Sequence, residues 1–182
     1  EGVPMKRNNH VNEHEVLENF GSQITELRKH AHFADGGKWV LRYLSGDDGL
    51  RVFGGKKLQF EVKEIWDEGA KRMARTLDVV DASNPDRRIF YEFKSVKNFP
   101  PSNFKDQFTK DLKNASSLDQ VKWIFDGAKI DDVAKFRNDM LSAIDKLELT
   151  DEMARKLMMP DSKASDLIEL IKSRFSTTFL IK

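Results

Sequence analysis

Apolar positions along the chain fall into rhythms of three-to-four and of two, and the changes between them mark the predicted elements. Up to residue 33, Val16, Leu17, Phe20, Ile24 and Leu27 are spaced as one face of a helix, interrupted by Gly21. Gly36-Gly37 ends that pattern. Residues 38–44 are apolar in a way that suits a helix or a strand, and Gly46-Asp47-Asp48-Gly49 predicts a turn. Residues 50–53 then read as the returning strand of a hairpin closed by Gly54-Gly55. A soft boundary is expected here, between a mostly helical region 1–55 and a main domain 56–182.

Residues 58–75 predict a helix with Phe60, Ile65, Met73 and Ala74 inward, weakened by Gly69. The β-branched residues of Thr76-Leu77-Asp78-Val79-Val80 predict a strand, Ser83-Asn84-Pro85-Asp86 a turn, and residues 89–96 the clearest strand of the chain. Together these form a hairpin. Pro100-Pro101 stops the strand region, Ser102 or Asn103 caps the next helix, and Phe104, Phe108 and Leu112 give that helix a strict fourfold stripe. Residues 121–125 predict a short strand. A long helix from about Asp131 turns Val133, Phe136, Met140, Ile144 and Leu147 inward, and two short helices flank Met159-Pro160. Residues 177–181 form a last strand or a tail. The order helix, strand, strand, helix, strand over 58–125 implies an α/β (α+β) fold, with a mixed central sheet flanked by helices and further helices at both ends.

Composition narrows the function classes. The 31 basic residues nearly cancel the 30 acidic ones, so contact with nucleic acid would have to come from local clusters rather than from a polycationic whole. The chain has no cysteine, which removes disulfide frameworks and thiolate metal sites. No apolar run reaches the length of a bilayer span, so a soluble chain is expected. The start, Glu1-Gly2-Val3-Pro4, has neither an initiator Met nor the regions of a signal peptide, and reads as a piece of a longer chain or a matured product.

Side-chain alternation puts Glu92 and Lys94 on one face of their strand with Phe90 and Val96, while Tyr91, Phe93 and Ser95 point the other way. The partner strand offers Asp78 amid Leu77, Val79 and Val80. Charges placed in apolar strands cost several kcal/mol, on the order of a lost buried pair, unless something compensates them. A divalent cation and a phosphate would. Mg²⁺ prefers hard oxygen ligands and keeps waters. Asp78, Glu92 and the backbone carbonyl of Phe93 would supply three oxygens, and Lys94 would orient the attacking water and offset phosphate charge.

These residues resemble the PD-(D/E)XK nuclease superfamily, whose pattern is an Asp on one strand and Glu/Asp-x-Lys on the next. Here it reads Leu77-Asp78-Val79-Val80, then Tyr91-Glu92-Phe93-Lys94-Ser95. Leu77 stands where the motif's Pro would be, and that Pro is often missing in the family. The resemblance covers roughly 58–125. It implies a restriction-endonuclease-like core, a Mg²⁺ (or Mn²⁺) cofactor, and a following helix bearing a polar site residue, for which Gln107 and Asp111 fit. It also implies a helix carboxylate ahead of the motif, with Glu64 and Glu68 as candidates. Lys97, Lys105 and Lys110 would follow the phosphate backbone. The substrate would be DNA, favoured on its frequency in the family, or an RNA such as tRNA. A second resemblance, in architecture rather than motif, is to C-terminal nuclease domains of bacterial polymorphic toxins, including those of contact-dependent growth inhibition. It implies an effector released from a larger secreted protein, acting in the target-cell cytoplasm and silenced by a cognate immunity protein.

Blander readings stand beside these. Glu92 and Lys94 also suit a solvated pair on an edge strand, and Asp81 suits turn chemistry. Glu64 and Glu68 lie among Lys63, Lys71 and Arg72, as on a solvated helix face, and lysines after residue 97 are ordinary on an exposed helix. His10, His14, His30 and His32 lack zinc-site spacing, and Gly49 to Lys56 fails as a phosphate loop. A non-catalytic binding module on the same fold is the alternative function, and a helical interaction protein built on the Met-rich C-terminal part is a third.

Overall fold

The computed structural model describes residues 34–99 and 103–182; the predicted first helix and all four histidines lie outside the described residues. Within them, a five-stranded sheet in the order β1-β2-β3-β4-β5 separates two helical layers. The chain enters through helix α1 (Ala34–Ser45) and helix α2 (Asp47–Phe53). The predicted hairpin over residues 50–53 is thus replaced by a helical turn. Gly49 permits it, because a Cβ there would lie 1.9 Å from the Tyr43 carbonyl oxygen.

The largest departure from expectation follows. Residues 58–75 are not a helix but an antiparallel ribbon, β1 (Leu58–Glu68) and β2 (Lys71–Asp81), turning at Gly69 with φ +61°. Along β1 exposure alternates residue by residue: Leu58, Phe60, Val62, Glu64 and Trp66 are half-buried between exposed neighbours. That is the period of a strand with one covered face. Ile65 and Ala74, expected inward, are exposed.

β2 pairs antiparallel with β3 (Ile89–Lys94), and β3 pairs parallel with β4 (Val121–Phe125). The crossover is helix α3 (Phe104–Asn114), with Asn103 at its N-cap and Phe104, Phe108 and Leu112 buried as the stripe requires. Helices α4 (Val133–Asp145), α5 (Asp151–Leu157), α6 (Ala164–Ser173) and the single turn α7 (Phe175–Thr178) lead to β5 (Phe179–Ile181), which lies parallel to β4. Phe136, Met140 and Ile144 of α4 are buried, as is Leu147 beyond its end. Val133, expected inward, is exposed, because it starts the helix at the rim.

Two cores result. Trp39, Tyr43, Leu44 and Phe53 from α1 and α2 pack on Val79, Tyr91, Phe93 and Ile124. On the opposite face α3, α4, α5 and α6 enclose Leu77, Val80, Phe90, Trp123 and Phe125. Just past residue 55, where a soft boundary was expected, Leu58 and Phe60 pack on the α1–α2 core.

The ribbon changes face partway along. Phe60 packs in the α1–α2 core but Val62 on the α3 side, and across the ribbon Val79 and Leu77 divide the same way. In a regular strand i and i+2 share a face. Between Phe60↔Val79 and Val62↔Leu77 stand Glu61 and Asp78, and Glu61 has φ +51°. This left-handed residue rotates the outer ribbon so that Arg75, in step with Leu77, turns toward α3.

Candidate active site

The site is built where that rotation brings β2, β3 and α3 together. Glu92 and Lys94 point to the α3 side of β3 with Phe90, while Tyr91 and Phe93 face α1 and α2, as alternation requires. Asp78 stands beside them on β2, and its Oδ2 accepts the Phe93 N–H at 2.8 Å. Phe93 thus touches Asp78 through its amide hydrogen.

Lys94 joins the parts. Its ammonium lies 2.5 Å from Glu92 Oε1, donates to Gln107 Oε1 at 2.9 Å, and sits 5.3 Å above the Trp123 ring. Gln107 is one turn before Asp111 on α3, so both face the sheet beside the Phe104–Phe108 stripe. Asp78, Glu92, Lys94 and Gln107, proposed together from sequence, are brought together in space.

Sequence reasoning missed Arg75. Its Nη2 donates to Glu92 Oε2 at 2.6 Å and its Nε to Asp111 Oδ1 at 2.7 Å. The Asp111 Oδ2 accepts the Trp123 indole N–H at 2.9 Å. Arg75, Glu92 and Asp111 have side chains only 7%, 5% and 2% exposed, so the charges are removed from water and compensated by one another. The available signal was the strand phase of β2: had residues 71–81 been read as one strand, Arg75 would fall in step with Leu77 and Val79 on the buried positions.

Glu61 was missed as well. It sits opposite Asp78 in the ribbon at a φ that non-glycine residues rarely adopt. Its sequence neighbourhood gives no signal, since it occupies an exposed phase of β1.

The carboxylates crowd one another. Burial first, and then Glu92, push the Asp78 carboxyl well above its ordinary value; Glu61 adds to this, while the Phe93 N–H and Lys94 oppose it. Glu61, although on an exposed position of β1, is raised as well, by partial desolvation and then by Glu92. Burial pushes Asp111 up to about 6 against the pull of Arg75. For Arg75, burial works downward, yet Asp111 and Glu92 outweigh it and hold the guanidinium above its usual range.

The remaining sequence candidates stand elsewhere. Glu64 and Glu68 are on strand β1, not on a helix, and are engaged by Arg88 at 2.8 Å and Lys113 at 2.5 Å. Lys105 pairs with Glu148 and Lys110 with Asp106. Lys97 lines a small groove with Asp131, Asp132 and Asp139. These lysines sit beside carboxylates instead of forming a bare positive track. Asp81 takes its turn role, accepting the Ser83 N–H at 2.9 Å.

Asp78 and Glu92 offer hard oxygens whose mutual repulsion a cation would relieve, in the mode where one or two carboxylates and several waters suffice. Among the described residues no three His, Asp or Glu side chains form a ready cage. Any ion held there would take most of its ligands from water, as Mg²⁺ and Mn²⁺ can. No protein-family model matches the sequence, and no curated protein or solved structure matches it.

Proposed function

We propose that the chain is a divalent-metal-dependent nuclease that hydrolyses phosphodiester bonds in nucleic acid. The observation that carries the reading is the convergence of Asp78, Glu92, Lys94 and Gln107 from β2, β3 and α3, with Lys94 spanning Glu92 and Gln107. Further support comes from the succession of α2, the antiparallel β1, β2 and β3, α3 and the parallel β4, which suits a restriction-endonuclease-like core.

Asp78 and Glu92 would hold a Mg²⁺ or Mn²⁺ ion, which supplies Lewis acidity toward the phosphate and acidifies water. Lys94, paired with Glu92, would offset the charge that builds on the attacked phosphate. Gln107 keeps the Lys94 ammonium aimed. Water adds to phosphorus and gives up a proton, the bond to the leaving oxygen breaks, and that oxygen takes up a proton. DNA is the favoured substrate, with tRNA or another RNA next. The resemblance to polymorphic-toxin domains adds the role of a secreted toxin's effector, silenced by an immunity protein and acting in the target cell's cytoplasm.

The test is incubation with plasmid DNA and with total tRNA, each with Mg²⁺, with EDTA, and beside Glu92→Ala. Mg²⁺-dependent cutting of either substrate, lost in the variant, is expected. A second reading, a binding module without catalysis, is favoured by one observation: both Glu92 oxygens already have cationic partners. Under that reading neither substrate is cut, and nucleic-acid affinity is the same in EDTA.

A further inference from the structure

Behind the proposed centre the described residues close a circuit of side chains that runs Lys94, Glu92, Arg75, Asp111, Trp123 and back to Lys94. The circuit draws on β2, β3, α3 and β4 and fixes the two groups of the centre from behind. Arg75 is its hinge point. The guanidinium spends Nη2 on Glu92, Nε on Asp111 and Nη1 on the Thr76 carbonyl at 2.5 Å, so each of its nitrogens is committed. A lysine, a point charge on a flexible stem, has no planar fork to serve carboxylates on two elements at once.

We infer that Arg75, anchored by Asp111, is the positioning residue of this centre: it fixes Glu92 Oε2 and leaves only Oε1, shared with Lys94, for a cation. The inference rests on the nuclease reading. Its physical basis is asymmetry between the two Glu92 oxygens. Oε1 is held by Lys94, which has Gln107 and the Trp123 ring as standing partners and so can release Oε1 without being left unpaired. Oε2 is held by Arg75, which is buried and tied down on the far side by a carboxylate that is itself tied to Trp123. Fixing one oxygen removes the rotational freedom that would let Glu92 chelate, decline or swing away from a cation. A buried pair kept for stability alone would be replaceable by apolar residues of similar volume. A pair kept to aim Glu92 would not.

The experiment measures Mn²⁺ binding by electron paramagnetic resonance, thermal melting, and the Mg²⁺ dependence of cleavage in the full chain, Arg75→Lys and Asp111→Asn. Asp111 hydrogen-bonds Arg75 and Trp123 but not Glu92, so its variant reaches the centre through those partners and serves even where the Arg75 variant does not fold. Expected is Mn²⁺ binding weakened on the order of tenfold or more in Arg75→Lys. Asp111→Asn should shift it the same way by less. The Mg²⁺ concentration for half-maximal cleavage should rise more than kcat falls. Folded variants that bind Mn²⁺ as the wild type does would overturn the positioning role and leave the nuclease reading intact. A wild-type chain that neither binds Mn²⁺ nor cuts would overturn both.

Discussion

The two faces of β3 differ as much as two parts of one strand can. Tyr91 and Phe93 face α1 and α2 in a core of rings: Phe53 meets Tyr91 edge-on at 4.7 Å and Trp39 meets Phe93 at 5.6 Å. Phe90, Glu92 and Lys94 face α3, where apolar packing is broken by Arg75, Glu92 and Asp111. The aromatic face gains by removing large apolar areas from water. The charged face costs desolvation and recovers it only through complete pairing. Apolar residues of similar volume would avoid that cost, and the proposed chemistry lies on the costly face.

Lys94→Ala should separate the two faces by the largest effect. Cleavage should fall at least about a hundredfold, as when a charge-stabilising donor is removed from an active site. The melting temperature should also fall, because Glu92 Oε1 and Gln107 lose their partner. Arg75 still holds Glu92, so the chain should stay folded and cleavage should fall far more than the folded fraction. An active Lys94→Ala chain would sink the mechanism. Phe93→Ala on the opposite face should do the reverse. It should lower unfolding free energy by about 3–5 kcal/mol in denaturant titration, and any loss of cleavage should track the unfolded fraction.

A subtler contrast is titration. Asp111 is held at about 6 against an ordinary 3.8. Between those values the folded state keeps a proton that the unfolded chain has lost, so stability falls as pH rises through the window and levels off above it. Tyr91 is pushed up to about 12 by burial, so the aromatic face loses stability only as pH rises above 10. Denaturant titrations from pH 4 to 7 should show the first slope reduced in Asp111→Asn. An unchanged slope would remove Asp111 from the account.

The smallest expected effect is at the kink that separates the two faces of the ribbon. Glu61→Gly should stabilise the fold by about 1 kcal/mol, by relieving the left-handed backbone and removing a carboxylate from the neighbourhood of Asp78 and Glu92. A loss of stability would mean that the Glu61 side chain has a favourable contact of its own.

Local pattern determined a good deal by itself. The alternation over residues 89–94 defined β3 and which of its residues share a face, since strand geometry leaves no other choice. The fourfold stripe defined α3 and put Gln107 and Asp111 beside it. Asp78, Glu92 and Lys94 could be grouped because they lie on adjacent hairpin strands joined by the turn Ser83-Asn84-Pro85-Asp86. Other features were decided only by tertiary structure. Residues 58–75 carry apolar side chains at spacings that suit both periods, and a strand becomes stable only when its backbone groups find a partner. Here the partners are supplied within the ribbon, with Gly69 as its turn. Arg75 and Asp111 are 36 residues apart, and no local rule joins them. They meet because one left-handed residue, Glu61, rotates the ribbon, and because charges withdrawn from water must find each other wherever the fold brings them together.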